Sequence, residues 1–248
     1  MQSSSTKFLL SFWYNGILPG NYRDQNILLT QPDQRTIVLG YYITPSIGGT
    51  AALTIVSTDM TRKSNSFKKS IKLPYDDGWH HVLVYLDTQA ASCRAYIDDS
   101  AATVNNSYTV GSGFKVNCAG RWCVSYRPYT TPAPYTGDLA ELFFLAGTEV
   151  DISDPAVRAK FLDPDTLVPI RIDAGGLWPF FESHGAVPQI WLSGGPTRFP
   201  RNYPGWSATM VQQFDSDPTS QFAVTGDLTS PAAGPFDRPP HHATPVQP

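Results

Sequence analysis

The sequence predicts an all-β protein: an antiparallel sandwich of many short strands, with one short helix and a long extended C-terminal arm. Three observations support this fold class. Strand-like runs recur as far as Ala146 and are separated by turn signals such as Asn15-Gly16 and Asp77-Gly78. The acidic residues are 18 aspartates and 3 glutamates, and aspartate favours turns whereas glutamate favours helices. Hydrophobic residues make up 41% of the 248-residue chain, which is enough for a substantial core.

The candidate strands are rich in aromatic and β-branched residues, and Gly, Pro, Asn and Asp lie between them. In chain order they cover residues 8–14, 27–30, 36–43, 51–57, 66–73, 79–86, 92–98, 114–116, 122–126 and 138–146. One helix follows, because Asp154-Pro155 is typical of an N-cap and a first helical position, and Asp163-Pro164 ends the helix-compatible stretch. We therefore expect a sandwich domain over residues 1–170, with the helix near 154–162.

Two adjacent histidines, His80 and His81, lie in the apolar run 79–86. That run and 92–98 are joined by a short polar stretch, which predicts an antiparallel hairpin. Side chains alternate between the faces of a strand, so the two imidazoles should point to opposite sides of the sheet. Neighbours placed in this way cannot easily bind one ion or form one catalytic pair, and we expect both histidines to be hydrogen-bonded scaffold residues.

The residues after 170 differ in composition from the predicted sandwich. Twelve of the 22 prolines lie in 171–248, together with more aromatic residues than a solvated linker needs. We expect 171–248 to form an extended arm that packs on the sandwich and on partner subunits. Its last stretch, 231–248, holds one aromatic residue. The residues expected to dock on a partner are Phe236 as the anchor, with Arg238, His241 and His242 at the rim.

Several segments resemble one family. FLLSFWYN from Phe8, DGWHHVLVYLDTQAASCRAYIDDS from Asp77 and GDLAELFF from Gly137 resemble the opening strand, central hairpin and closing strand of laminin-G-like, concanavalin-A-like sandwiches. The later segments DISDPAVRAKFLDPDTLVPIRI, PQIWLSGG and GDLTSP are similar to laminin-G-like proteins encoded by tailed bacteriophages of proteobacteria. The resemblance implies an antiparallel jelly-roll sandwich and a virion structural protein.

This fold hosts lectins, glycosidases, adhesion modules and structural proteins, so it does not select a function. We expect a non-enzymatic structural or decorating component of a phage capsid or tail. Its partners would be other virion proteins, and it would be a homo-oligomer or occur in multiple copies. A carbohydrate-binding adhesin on the virion, contacting cell-surface glycan, is the alternative, and a glycosidase is the third hypothesis. The N-terminal stretch lacks the pattern of a secretory signal, as expected for a virion assembled in the bacterial host cytoplasm.

Composition argues against several other classes of protein. The net charge is −3, and the densest basic cluster, 62–69, is small and interrupted, which disfavours nucleic-acid binding. No apolar run approaches the length that spans a bilayer, so a membrane partner is not expected. Cys93, Cys118 and Cys123 are sparse and lack a second Cys/His pair nearby, which disfavours zinc.

Catalytic motifs are missing from the sequence. Glucanases of this fold carry Glu-x-Asp-x-x-Glu on one strand, with the carboxylates acting as nucleophile and general acid. Here Glu141 and Glu149 are eight residues apart and Glu182 is distant, so the motif cannot be written. We therefore expect no enzymatic activity.

Two sets of residues are candidate ligand sites. Paired aspartates beside turns can bind calcium, which takes several oxygen ligands, and some laminin-G-like domains do so at the sandwich rim. Calcium is thus the one cofactor considered, and the candidate ligands are Asp76, Asp77, Asp98 and Asp99. Aromatic faces with nearby donors can stack on sugar rings. The carbohydrate candidates are Trp122, Tyr126, Tyr129, Tyr135 and Arg127.

Overall fold

The computed structural model describes residues 4–16, 25–30, 37–46, 50–59, 66–76, 78–110, 115–117, 122–124, 137–170, 180, 188 and 190–192. The strands are β1 (Ser4–Ser5), β2 (Lys7–Asn15), β3 (Gln25–Thr30), β4 (Ile37–Ser46), β5 (Thr50–Asp59), β6 (Ser66–Leu73), β7 (Trp79–Asp87), β8 (Ser92–Ile97), β9 (Ser100–Ala101), β10 (Val104–Val110), β11 (Val116–Asn117), β12 (Trp122–Val124), β13 (Asp138–Ala146) and β14 (Ile190–Leu192). Helix α1 (Pro155–Arg158) is far too short to cross a membrane, and no helix in this part of the chain is long and apolar enough to do so.

The strands form two six-stranded antiparallel sheets. The first sheet has the order β10-β6-β5-β4-β3-β12, and the second has the order β14-β13-β2-β7-β8-β9. Strands β1 and β11 pair separately as a two-stranded ribbon. The predicted all-β antiparallel sandwich with one short helix is confirmed.

The inner core lies between the two sheets and follows the alternation of the strands. On β2, Phe8, Leu10, Phe12 and Tyr14 are buried on this side. The first sheet contributes Leu39, Tyr41, Ile43, Leu53, Ile55 and Ile71 to the same cluster. An edge-on contact between the rings of Tyr41 and Phe144, with centroids 6.3 Å apart, joins the sheets. Burying each such side chain contributes about 1.5–3 kcal/mol to the stability of the fold.

The second sheet is also covered on its outer face. Residues 150–170, called the covering segment below, place Val150, Ile152, Val157 and Phe161 against that face. Strands β2 and β7 are therefore buried on both sides, and each is buried along nearly its whole length. A strand covered on both faces has a near-continuous apolar sequence, which explains why the run from Val82 to Leu86 lacks polar alternation.

Helix α1 begins where the sequence predicts and ends earlier. The Oδ1 of Asp154 accepts a hydrogen bond from the amide of Ala156 at 2.8 Å, and Pro155 occupies the first turn. The helix stops at Arg158, one turn long, instead of reaching residue 162. The chain then bends so that Phe161 packs edge-on against Phe143, with ring centroids 5.5 Å apart. Burial of Phe161 against the sheet thus outweighs the helix propensity of this stretch.

Four strands, β1, β9, β10 and β14, lie outside the predicted runs, and the last two are the longer ones. Strand β10 pairs with β6, although its centre contains the polar residues Asn105 and Asn106. Strand β14 pairs with β13 at the edge of the second sheet, and its Trp191 is 1% exposed. The sequence predicts Ile190–Leu192 as part of the extended arm, whereas in the structure they form the edge strand of the second sheet. The remainder of the arm lies outside the described residues, apart from Phe180 and Pro188.

We predict that Trp79→Ala lowers the free energy of unfolding by about 3–5 kcal/mol, because the indole is buried against Trp13 and Leu162 and its removal leaves a cavity. The measurement is chemical denaturation followed by circular dichroism. Lys72→Ala is the matched control, since Lys72 is exposed on a strand and its truncation should change stability by less than about 0.5 kcal/mol. Equal denaturation midpoints for wild type and Trp79→Ala would contradict the burial of this side chain.

Candidate functional site

The two histidines lie on strand β7, in the middle of the second sheet. His81 is directly opposite Trp13 and His80 is directly opposite Tyr14 on the neighbouring β2. The ring of His80 packs against Tyr14, in the inner core, whereas the ring of His81 packs against Trp13 and Phe161 on the outer face. The predicted hairpin of β7 with β8 and the placement of the imidazoles on opposite faces are both confirmed.

Both ring nitrogens of His80 face carboxylates. Its Nδ1 lies 2.6 Å from Oδ2 of Asp98, and its Nε2 lies 2.7 Å from Oδ1 of Asp76. An ionised carboxylate only accepts hydrogen bonds, so both nitrogens must carry a proton for both bonds to form. The geometry therefore requires the imidazolium form of His80.

The pKa values of this cluster follow from burial and from the hydrogen bonds. Burial lowers the pKa of His80, but the hydrogen bonds and charges of Asp98 and Asp76 outweigh it, and the net pKa is raised above 6.5. Burial raises the pKa of Asp76, but the hydrogen bonds from His80 and from the amide of Gly78 lower it by more, and the net pKa is below 3.8. Both shifts stabilise the charged forms of the pair.

The turn between β8 and β9 fixes the two aspartates that follow Ile97. Asp98 and Asp99 have φ values of 48° and 64°, so both central residues of this two-residue hairpin turn are left-handed, as in a type I′ turn. The second oxygen of Asp98 accepts the amide of His81 at 2.9 Å. Asp99 forms an ion pair with Arg158, whose guanidinium lies 4.3 Å from the centroid of the Tyr96 ring. The turn is thereby tied to β7 and to helix α1.

These contacts do not fit a calcium site. Calcium takes six to eight oxygen ligands, as a rule several of them carboxylate oxygens. Here Oδ1 and Oδ2 of Asp98 both accept N–H donors, Oδ1 of Asp76 faces a cationic ring, and Asp99 is paired with Arg158. No group of three or more His, Cys, Asp or Glu residues in the described part of the chain is arranged to hold a metal ion. Asp77 lies outside the described residues.

A second hydrogen-bonded pair lies under the covering segment. The Oγ of Ser11 and the Nε2 of His81 are 2.8 Å apart, and both residues are buried. Burial lowers the pKa of His81 to about 4, against weaker opposing charges from Asp98 and Asp99. A general base works best when its pKa is near the working pH, and this imidazole is a neutral, weak base at pH 7. The pair is therefore suited to satisfying two polar groups within the core, and poorly suited to activating a serine.

A β-bulge in β13 lies beside this pair and was missed by the sequence analysis. The pairing of β13 with β2 shifts register between Ala140 and Phe143, and Glu141 adopts φ 48°. Leu139 faces the inner core and Ala140 the outer layer, so strict alternation would aim Glu141 at the core. The extra residue restores the phase, and Leu142 faces inward instead. The charged residue within an otherwise apolar run was the available signal.

The remaining candidate residues from the sequence analysis are not brought together by the described structure. The backbone of Trp122 belongs to β12, which pairs with β3, but its side chain is not described. Tyr126, Arg127, Tyr129 and Tyr135, proposed for sugar binding, lie outside the described residues, as do Phe236, Arg238, His241 and His242, proposed for partner docking. Those assignments stay predictions.

We predict that Ser11→Ala lowers the free energy of unfolding by about 1–3 kcal/mol, because it leaves the buried Nε2 of His81 without its partner. Ser153→Ala is the control: that hydroxyl is also hydrogen-bonded, to Asp151, but it is exposed to water that can replace it. Urea denaturation of both variants makes the comparison. A Ser11→Ala protein as stable as the Ser153→Ala protein would show that the pair is not a core hydrogen bond.

Neither a protein-family model nor a curated protein matches the chain in sequence. Among solved structures, it is similar to the native heptameric SAP-like pentraxin from Limulus polyphemus, with a TM-score of 0.42 and 14% sequence identity. The match covers 57% of this chain and 64% of the pentraxin chain, which is less than two thirds of the latter. The likeness concerns the sandwich architecture and carries no information about ligands or activity.

Proposed function

We propose that the chain is a non-enzymatic structural or decorating component of a bacteriophage particle, in its capsid or tail, and that it acts through protein contacts. The resemblance of its segments to laminin-G-like phage proteins supports a location in a phage particle. The geometry of the sandwich supports a role that depends on protein contacts. The chain would be made in the bacterial host cytoplasm and would function in the virion, next to other virion proteins and further copies of itself.

The observation that carries the proposal is the way in which β14 joins the second sheet. Ile190–Leu192 come from the Pro-rich region that follows the covering segment, and they add to the edge of β13 by backbone pairing. Trp191 anchors this strand, with its ring edge-on to Phe143 at a centroid distance of 5.5 Å. Strand addition with an aromatic anchor is a common mode by which extended segments dock on sheets. We propose that the later part of the arm uses the same mode on neighbouring subunits.

The use of the chemically versatile side chains also supports a structural role. Each ring nitrogen of His80 is hydrogen-bonded to a carboxylate, and Nε2 of His81 is bonded to Ser11 beneath the covering segment. The space between Asp76 and Asp98, which a glycosidase would leave open for a sugar, is filled by the imidazole of His80. We propose that these residues stabilise the sandwich instead of acting on a substrate.

The proposed partner contact lies in the last part of the arm. Residues 231–248 are rich in proline and hold Phe236 as their one aromatic residue, so they gain little by folding alone and more by covering a neighbouring surface. Phe236 would be the anchor of that contact, with Arg238, His241 and His242 at its rim.

We predict that a variant ending at Ser230 keeps the thermal midpoint of the full chain but is lost from the particle. The particles would be purified from the phage that encodes the chain, and the copy number would be measured by quantitative mass spectrometry. Phe236→Ala should weaken incorporation, whereas Lys72→Ala, on the sandwich surface, should not. Wild-type copy number of the truncated chain, or absence of the full chain from purified particles, would overturn the proposal.

We predict further that incubation with bacterial surface polysaccharides yields no shortened products. The measurement is chromatography of the polysaccharide before and after incubation, with a known glycosidase as the positive control and heat-denatured chain as the blank. Fragments that appear with the native chain and disappear after substitution of a single aspartate by asparagine would favour the glycosidase hypothesis instead.

A further inference from the structure

We propose that His80, as an imidazolium, takes the place that a divalent cation would have among the rim aspartates, and that its proton holds the connection between the two sheets closed. The cluster of Asp76, His80 and Asp98 is called the rim clasp below. The clasp makes this end of the sandwich independent of calcium and dependent on pH.

The clasp joins three separate parts of the fold. Asp76 lies in the connection from β6 of the first sheet to β7 of the second, His80 is the second residue of β7, and Asp98 is in the turn after β8. The same connection is held by Tyr14 of β2, whose hydroxyl donates to the carbonyl of Pro74 at 3.0 Å. The clasp therefore fastens the passage between the sheets to the end of the β7–β8 hairpin.

The lack of a side chain at Gly78 suits the closeness of this contact. Its amide donates to Oδ1 of Asp76 at 2.8 Å. A Cβ at this position would lie 2.9 Å from Oδ1 of Asp76 and 3.4 Å from Nε2 of His80, so a side chain would push the carboxylate off the ring. The backbone here is thus shaped around the carboxylate–imidazolium contact.

The charged groups that act on His80 are Asp98 from the turn and Asp76 from the connection between the sheets. The neighbouring β2 places Tyr14 against the ring, and that hydroxyl is used by Pro74.

Loss of one proton breaks one of the two bonds, since a bare ring nitrogen and a carboxylate oxygen repel each other. Asp98 keeps its place, because its side chain is 19% exposed and also accepts the amide of His81. Asp76 has a side chain that is 62% exposed and can turn to water at little cost. The neutral tautomer with a proton on Nδ1 is therefore favoured, and the clasp opens on the side of Asp76.

The direction of the pH effect follows from the shifted pKa values. The pKa of His80 is raised above 6.5, so its contribution to closure is complete below pH 6.5 and is lost as the pH rises through the raised value. The pKa of Asp76 is lowered below 3.8, so its contribution is complete above pH 3.8 and is lost only in stronger acid. The clasp is thus fully closed between these limits and opens towards alkaline pH.

The test is hydrogen exchange at the Gly78 amide, measured by NMR between pH 6.5 and about 8.5 and corrected for the intrinsic exchange rate. In this window His81, with its pKa of about 4, stays neutral, and Cys93, whose pKa burial raises to about 12, stays protonated. Protection should fall by up to about tenfold for each pH unit between pH 6.5 and the raised pKa of His80, and should level off above that pKa. The ¹⁵N spectrum of the His80 ring should show two N–H groups at pH 6.5 and one after the transition.

Two variants separate the clasp from a general effect of pH. In His80→Gln, which has no titrating group at this position, the Gly78 protection should no longer change with pH. Asp76→Asn keeps an oxygen for the Gly78 amide but removes the charge, so the transition should move to lower pH and become smaller. Both variants are expected to remain folded. Flat protection in the wild type, or an unchanged transition in His80→Gln, would therefore overturn the proposal.

Calcium provides the second arm of the test. At pH 6.5, millimolar calcium chloride should change neither the thermal midpoint nor the His80 ring signals, because the imidazolium already occupies the space between the two carboxylates. If calcium raises the midpoint at pH 6.5 and displaces the His80 signals, the cluster is a cation site and the proposal fails. The same additions to His80→Gln show whether removal of the ring frees the aspartates for the ion, in which case calcium should now raise the midpoint.

Discussion

The structure depends on one constraint, the burial of β2 and β7 on both faces. The inner core covers one side of this strand pair and residues 150–170 cover the other, so a polar side chain buried on these strands is stabilised by a partner inside the protein. Ser11 and His81 satisfy each other, and His80 is bonded at both nitrogens. The bulge at Glu141 answers the same constraint on β13, since it keeps a carboxylate out of the core.

The parts of the fold that the sequence predicts are those with a clear local pattern. The apolar run from Trp79 and its partner FLLSFWYN are long, aromatic and bounded by turn residues, so their pairing and the faces of both histidines follow from periodicity. The N-cap of α1 is local as well. Strand β10 was missed because Asn105 and Asn106 interrupt its pattern, and β14 because Pro-rich surroundings favour irregular structure. The position of β14 is set by Phe143 and the edge of β13, which are distant from β14 in the sequence.

The rim aspartates show why a candidate site is harder to predict than a strand. The sequence makes Asp76 and Asp98 candidate ligands of calcium, because aspartates near turns share that chemistry with metal sites. Their actual partner, His80, is four residues from Asp76, and it was assigned to the scaffold on separate grounds. Asp99 is neutralised by Arg158, 59 residues away in the chain, which no local pattern indicates. Whether two aspartates form a calcium site therefore depends as much on the cationic side chains that can reach them as on the number of their oxygens.

When both faces of a sheet are covered, its edges and its connections remain available for contact with other molecules. In the second sheet one edge of β13 is already occupied by β14, which arrives from the Pro-rich region and is anchored by Trp191. The residues best able to do chemistry are instead fixed at the rim or beneath the covering segment. Such a molecule offers backbone edges, an arm and shape, which are the means by which a subunit is held in an assembly. In the structural function that we propose, the covered sandwich would be the rigid part of the molecule and residues 171–248 the part that contacts partners.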